Sequence, residues 1–187
     1  MVLPFDDVND SDWFAGAVGF VYKNGIFKGV SEKEFAPGKN VTRAMLVTVL
    51  YRLEGEPETD AEKAGFFEDV EKSSYYENAV IWAFENGIVN GVSETNFAPD
   101  RNITREQIAA MLFRFAKFKD KGPVGAWTVR VPYTDLESVS DYAAEAVMFC
   151  YMKGLITGYP DESFAPAKEA TRAETAAIIE RFSKLTA

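Results

Sequence analysis

Three times along the chain, apolar and polar positions fall into the same two-helix rhythm. The clearest stripes are Leu46, Val49, Leu50 and Leu53, then Ile108, Met111, Leu112 and Phe115. The third is Ile178, Ile179 and Phe182, with Thr175 at the first place. Spacing of i, i+3, i+4, i+7 marks one amphipathic helix per unit, and each stripe requires a partner face. Ahead of each lies a shorter, aromatic-rich helix around Ala17-Val18, Ala79-Val80 and Ala146-Val147. Polar residues near Ser11-Asp12, Ser73-Ser74 and Ser140-Asp141 predict its start. Gly25, Gly87 and Gly154, each followed by an apolar residue, predict its end as a Schellman cap.

Between the two helices one phrase is written three times, as Phe35-Ala36-Pro37, Phe97-Ala98-Pro99 and Phe164-Ala165-Pro166. Each runs on to a threonine and an arginine, Thr42-Arg43, Thr104-Arg105 and Thr171-Arg172. A period of roughly 65 residues makes this a repeat protein, in which neighbouring units share a core. The units span residues 5–53, 67–115 and 133–182. The expected fold is mainly α: three tandem helix-loop-helix repeats in a pseudo-threefold arrangement around a central three-helix bundle. The connection from Glu54 to Phe66 reads as an acidic loop. Trp127 to Val131 alternates apolar and polar residues and predicts a short strand.

Composition narrows the function. A net charge of −9 in 187 residues argues against a nucleic-acid surface, which needs a basic face. There is no histidine and one cysteine, so an intrachain disulfide is impossible and the usual zinc sets are missing. Cys150 sits in an apolar run without a histidine to activate it and reads as a small core residue. No apolar stretch reaches the ~18 residues of a membrane span. The start at Met1-Val2-Leu3 lacks a basic and then apolar leader, which fits either a cytosolic chain or a piece of a longer exported protein.

The threonine before each second helix is an ordinary N-cap, completed by Gln107 and Glu174 into capping boxes in the second and third units. Met45 leaves the first unit without that half. The arginine is harder to place. At the first helical position a cation faces the positive end of the macrodipole and is disfavoured. Another base, Lys39, Arg101 or Lys168, precedes each arginine by four residues. Either the arginine pairs with an acid of its own repeat (Asp7, Asp69 or Asp135), or helix terminus and guanidinium together make a site for carboxylate or phosphate. In the second case, replacing Arg172 would cost ligand binding and hardly any folding. Arg52, Arg114 and Arg181, near the far helix ends, suit the negative pole and read as structural. Gly29, Gly91 and Gly158 serve either a turn or a close backbone approach to a ligand.

These residues resemble the surface-layer homology repeat, by which bacteria hold exported proteins on the cell wall. That repeat typically shows Gly-Tyr-Pro-Asp-Gly-x-Phe followed by Thr-Arg-Ala-Glu. Unit three comes nearest, with Gly158-Tyr159-Pro160-Asp161 and Thr171-Arg172-Ala173-Glu174. Units one and two read Gly-Val-Ser-Glu after the helix, then Thr42-Arg43-Ala44-Met45 and Thr104-Arg105-Glu106-Gln107. The resemblance implies an extracellular, non-covalent anchor with no cofactor, whose inter-repeat grooves bind an acidic, often pyruvylated, secondary cell-wall polysaccharide. It further implies that the motif arginine contacts this ligand. The candidate binding residues are thus Arg43, Arg105 and Arg172, with Lys39, Arg101, Lys168, Gly29, Gly91 and Gly158. Unit three, keeping both motifs, is the first choice. Trp13, Tyr75 and Tyr142 either stack on a sugar face or, as their apolar area argues first, pack in the core.

Two other functions compete. A protein-interaction or self-assembly module of a surface protein would expose apolar patches. An enzyme would need carboxylates in a cleft, whereas Asp6-Asp7 and Glu68-Asp69 recur with the repeat and follow its fold. Catalysis is not expected.

Overall fold

A computed structural model describes residues 3–60 and 66–186. Positions 61–65 of the linker expected to be an acidic loop lie outside the described residues. Each repeat supplies a short first helix and a longer second one: α1 (Ala15–Lys23) and α2 (Arg43–Leu53), α3 (Glu77–Glu85) and α4 (Arg105–Phe118), α5 (Ala144–Met152) and α6 (Arg172–Thr186).

The first helices end as their glycines dictate. Gly25, Gly87 and Gly154 have φ of 67°, 65° and 63°. In unit one Ile26 N–H reaches Val21 O at 2.9 Å and Gly25 N–H reaches Tyr22 O at 3.0 Å, the paired bonds of a Schellman cap. Their starts differ from expectation. The helices begin after Phe14, Tyr76 and Ala143, without a side-chain cap. The polar residues upstream instead close a preceding turn, as where Asp12 accepts from Asn9 N–H at 2.8 Å. The predicted strand at Trp127–Val131 is absent. Its alternation has another cause: Val131 joins the core, and Trp127 and Val129 pack against it, from a segment without regular secondary structure.

Each second helix packs most closely on a first helix of another repeat: α2 on α3, α4 on α5, and α6 back on α1. The stripes are buried as their spacing requires, with Leu46, Leu50, Ile108, Leu112, Phe115, Ile179 and Phe182 all inaccessible. Phe115 and Phe182 bring α4 and α6 together, ring centroids 5.4 Å apart. Cys150 is fully buried among them, and burial pushes its thiol far up, so it is core and not a nucleophile.

The residues just before the second helices close a ring. Val41 N–H donates to Ala170 O, Ala170 N–H to Ile103 O, and Ile103 N–H to Val41 O, at 2.9 to 3.1 Å. These three bonds tie the three repeats to one another in a closed ring. On the same ring Glu169 accepts from the side chains of Asn40 and Asn102.

Candidate ligand-binding grooves

The motif arginines do not stay with their own repeats. Arg43 Nε donates to Phe97 O at 2.8 Å, Arg105 Nε to Phe164 O at 2.8 Å, and Arg172 Nε to Phe35 O at 2.6 Å. Each thus reaches the Phe-Ala-Pro turn of the following repeat, with unit three closing onto unit one. All three are at most 5% exposed, their guanidinium carbons lying over aromatic rings: Phe97 at 4.6 Å, Tyr159 at 4.5 Å and Phe27 at 4.2 Å. Cation–π contact and carbonyl acceptors replace the ion pair expected with Asp7, Asp69 or Asp135.

Those aspartates do something else. Both oxygens of Asp69 accept backbone N–H groups, from Phe97 and Ala98, each at 2.7 Å. Asp7 does the same for Phe35 and Ala36, and Asp135 for Phe164 and Ala165. The clamped alanines have φ of 55° to 58°, a left-handed conformation that an L-residue holds only under constraint. Carboxylate on one side and arginine on the other therefore fix each turn.

The expected anion site at the helix N-termini is already filled by protein. Arg43 N–H donates to Arg101 O, Arg105 N–H to Lys168 O, and Arg172 N–H to Lys39 O. The second N–H of each helix donates to Pro99, Pro166 or Pro37. Lys39, Arg101 and Lys168 thus contribute backbone carbonyls, and their side chains are exposed at the surface. Among the described residues the first two N–H groups of each second helix are therefore taken by carbonyls of a neighbouring repeat. The glycines have a packing reason too. A Cβ on Gly29, Gly91 or Gly158 would lie 2.5 to 2.7 Å from the Phe5, Phe67 or Tyr133 ring, and within 2.9 Å of a loop carbonyl.

What remains open are the spaces between repeats. One cavity of about 490 Å³ is lined by Arg105, the Thr157-Gly158-Tyr159-Pro160 loop, Glu174, Ile178 and Arg181 of α6, and Trp13. A second, of about 300 Å³, is lined by Arg43, the Asn90-Gly91-Val92 loop, Gln107, Met111 and Arg114 of α4, and Tyr142. Each takes its motif arginine from one repeat, its loop and second helix from the next, and its aromatic from the third. Trp13, Tyr75 and Tyr142, placed first in the core from sequence, are 68%, 62% and 53% exposed. Core packing falls to other rings because these three precede the first helices, outside the buried face.

A family model described as the S-layer homology domain matches residues 4–44, 66–109 and 132–176. The chain belongs to the S-layer homology domain family. Its relatives include an amylopullulanase of Thermoanaerobacterium thermosulfurigenes, 33% identical over 94% of this chain but only 9% of that protein. A cellulosome-anchoring protein of Acetivibrio thermocellus is 30% identical over 95% of the chain and 38% of its own length. The surface-layer 125 kDa protein of Lysinibacillus sphaericus is 29% identical over 81% and 12%. The chain therefore spans less than two-fifths of each of these relatives. S-layer homology units are binding and anchoring domains, and the family places this module at the bacterial cell surface and wall. Among the described residues no helix is long and apolar enough to cross a membrane, and no cluster of potential metal ligands occurs.

The S-layer homology motif is divided by this fold. Gly158-Tyr159-Pro160 and Arg172 belong to the same repeat but not to the same groove. Arg172 leaves toward unit one, where Nη2 also donates to Lys28 O at 2.7 Å. The Gly158 loop is faced by Arg105. Arg43 is committed like Arg172, its Nη2 donating to Asn90 O at 3.0 Å. Arg105 is not: among the described residues its Nη1 and Nη2 have no hydrogen-bond partner. Burial pushes Arg172 down to about 10, and it lowers Arg43 too, with the Arg101 charge adding to it. In the Gly158 groove Tyr159 OH donates to Glu174 at 2.7 Å, and Lys168 bridges both.

Arg114 and Arg181, read from sequence as dipole partners, line the two cavities instead. The signal was present: Arg105 and Arg114 are nine positions apart, which on an α-helix is roughly half a revolution. One helix thus presents an arginine to the groove on either side.

Proposed function

We propose that this S-layer homology module holds its protein on the wall by binding an acidic, pyruvylated secondary cell-wall polysaccharide in its inter-repeat grooves. The observation that carries this is Arg105. Its Nη1 and Nη2 make no hydrogen bond among the described residues, and Arg105 lines a cavity of about 490 Å³, room for a sugar residue. A carboxylate entering the cavity accepts two N–H groups of such a fork at once. Trp13 stands at the mouth as a stacking face for a pyranose ring, and Arg181 adds a second positive charge. The groove of choice is thus the one between Arg105 and the Gly158 loop, rather than one built around Arg172.

Purified wall sacculi, before and after acid extraction of secondary polymer, test the proposal. Binding is expected to vanish on extraction. Trp13→Ala, exposed and thus neutral for folding, should weaken binding about three- to tenfold, the worth of an aromatic contact of ~0.7–1.4 kcal/mol. Unchanged binding to extracted sacculi would rule the polymer out, and normal binding by Trp13→Ala together with Arg105→Lys would rule out this groove.

A further inference from the structure

The chain holds three Asn-Gly pairs, Asn24-Gly25, Asn86-Gly87 and Asn90-Gly91, and the fold treats the last unlike the others. In such a pair the glycine nitrogen can attack the asparagine side-chain amide, because no Cβ shields it and its backbone turns freely. The first two pairs are held at helix ends. Gly25 N–H donates to Tyr22 O and Gly87 N–H to Phe84 O, each at 3.0 Å. Their asparagine amides are tied as well, Nδ2 of Asn24 donating to Phe20 O at 2.9 Å and Nδ2 of Asn86 to Trp82 O at 2.7 Å.

Asn90-Gly91 has neither restraint. Asn90 is exposed, and among the described residues its side chain makes no hydrogen bond and Gly91 N–H finds no acceptor. The Asn90 main-chain carbonyl, by contrast, accepts Nη2–H from Arg43 at 3.0 Å. A charge-assisted bond to that oxygen draws electrons from the peptide group and makes the Gly91 N–H more acidic. The glycine is also obligatory, since a Cβ there would lie 2.7 Å from both the Asn96 carbonyl oxygen and the Phe67 ring. The equivalent loops carry Lys28-Gly29 and Thr157-Gly158, which have no amide to lose.

We infer that Asn90 is a site of spontaneous deamidation, at which the folded module converts its Gly91 loop to an isoaspartyl form. Gly91 gives its amide proton to hydroxide, its nitrogen bonds to Asn90 Cγ, and Nδ2 leaves as ammonia with a proton from water. Water then opens the succinimide at the Asn90 main-chain carbonyl carbon, breaking that carbon's bond to Gly91 N. The chain now runs through Cγ, one methylene longer, and the former carbonyl is a free carboxylate beside Arg43. Arg43 and Arg114 line a cavity that has no carboxylate among its lining residues. Deamidation supplies one from the protein itself, and both guanidinium groups are drawn to it. The inference is independent of what the module binds.

The test ages the whole module in mildly alkaline buffer, with and without urea, and then maps its peptides by mass spectrometry. Isoaspartyl methyltransferase with a labelled methyl donor counts the isoaspartate formed. In the folded sample conversion is expected at Asn90, with Asn24 and Asn86 at least about tenfold slower, because their helix ends must open first. In urea the three pairs should convert at similar rates. Asn90→Gln, exposed and unable to close the five-membered ring, should cut methyl acceptance of the folded module by about tenfold, leaving only the two protected pairs. An Asn90 that survives in the folded sample while the urea sample converts overturns the inference. Asn24 or Asn86 converting as fast as Asn90 in the folded sample also overturns it. If urea leaves the same ranking, local sequence sets the rates and the structural argument fails.

Discussion

Arg172 and Phe35, 137 positions apart in the chain, are joined twice. The guanidinium donates Nε–H to the Phe35 carbonyl at 2.6 Å and lies 4.6 Å from the Phe35 ring centroid. This contact ties the last repeat to the first and closes the module. The same pairing of arginine and phenylalanine recurs as Arg43 with Phe97 and Arg105 with Phe164.

Arg172→Ala is accordingly expected to destabilise the fold, by about 3 kcal/mol. It leaves the buried Phe35 carbonyl and the Lys28 carbonyl without their arginine donors and removes a stacked side chain that is only 3% exposed. Arg172→Lys should recover little, since lysine cannot span both acceptors in one plane. Urea unfolding decides this. The sequence expectation that folding would hardly suffer is the outcome that would contradict it.

The turn itself gives a second prediction. Asp69→Ala strips donors' partners from Phe97 and Ala98 and releases an alanine held at φ 58°. A loss of about 2–4 kcal/mol is expected from two unsatisfied N–H groups. Asp69→Asn keeps one acceptor and should lose less. Ala98→Gly in the Asp69→Ala background should regain part of the loss, because glycine adopts this φ at little cost. Chemical denaturation of the three variants provides the check.

Local rhythm was legible and inter-repeat destination was not. The i, i+3, i+4 spacing located α2, α4 and α6, and the glycine followed by an apolar residue located the end of α1, α3 and α5. Each of these depends on chain neighbours within a few positions. Where Arg172 points depends on which repeat packs beside α6, and periodicity is the same whether a side chain serves its own unit or the next. The two halves of the motif, kept together in unit three, therefore make that unit the first choice from sequence, although Gly158 and Arg172 face different grooves. Trp13, Tyr75 and Tyr142 escape the core for a related reason: hydrophobic area favours burial on average, but these rings precede the helix starts, where Trp13 and Tyr142 line cavities and Tyr75 is exposed.

Alkaline pH gives a third prediction. Burial pushes the Tyr133 phenol up to about 12, and its OH donates to Ile156 O at 2.9 Å. The folded pKa lies above the unfolded value near ~10, so the native state binds more protons between the two. The stabilisation is complete below pH ~10 and is lost as pH rises through about 12. Arg172, lowered to about 10, acts in the opposite sense, because the unfolded chain protonates it more readily there. Tyr133→Phe removes the falling component. Melting temperatures between pH 9 and 11.5 should decline less steeply in that variant than in the wild type, and parallel curves would refute the assignment.

The final prediction concerns cooperativity. Every second helix finds its closest helical partner in another repeat, and each Phe-Ala-Pro turn receives its arginine from another repeat. The first two N–H groups of each second helix also bond to carbonyls of another repeat. A single repeat, such as residues 66–131, would expose its stripe at Ile108, Met111, Leu112 and Phe115, and α4 would lose both its packing partner and its terminal acceptors. Helices of this length are marginal in water without packing. The excised unit is therefore expected to lack dispersed amide signals in an NMR spectrum. In the intact module, Arg43→Ala should lower one common transition, seen alike by Trp82 fluorescence and by far-ultraviolet circular dichroism. Two separated transitions, or a well-dispersed spectrum from the excised repeat, would show that each unit carries its own core and that the inter-repeat bonds only dock finished pieces.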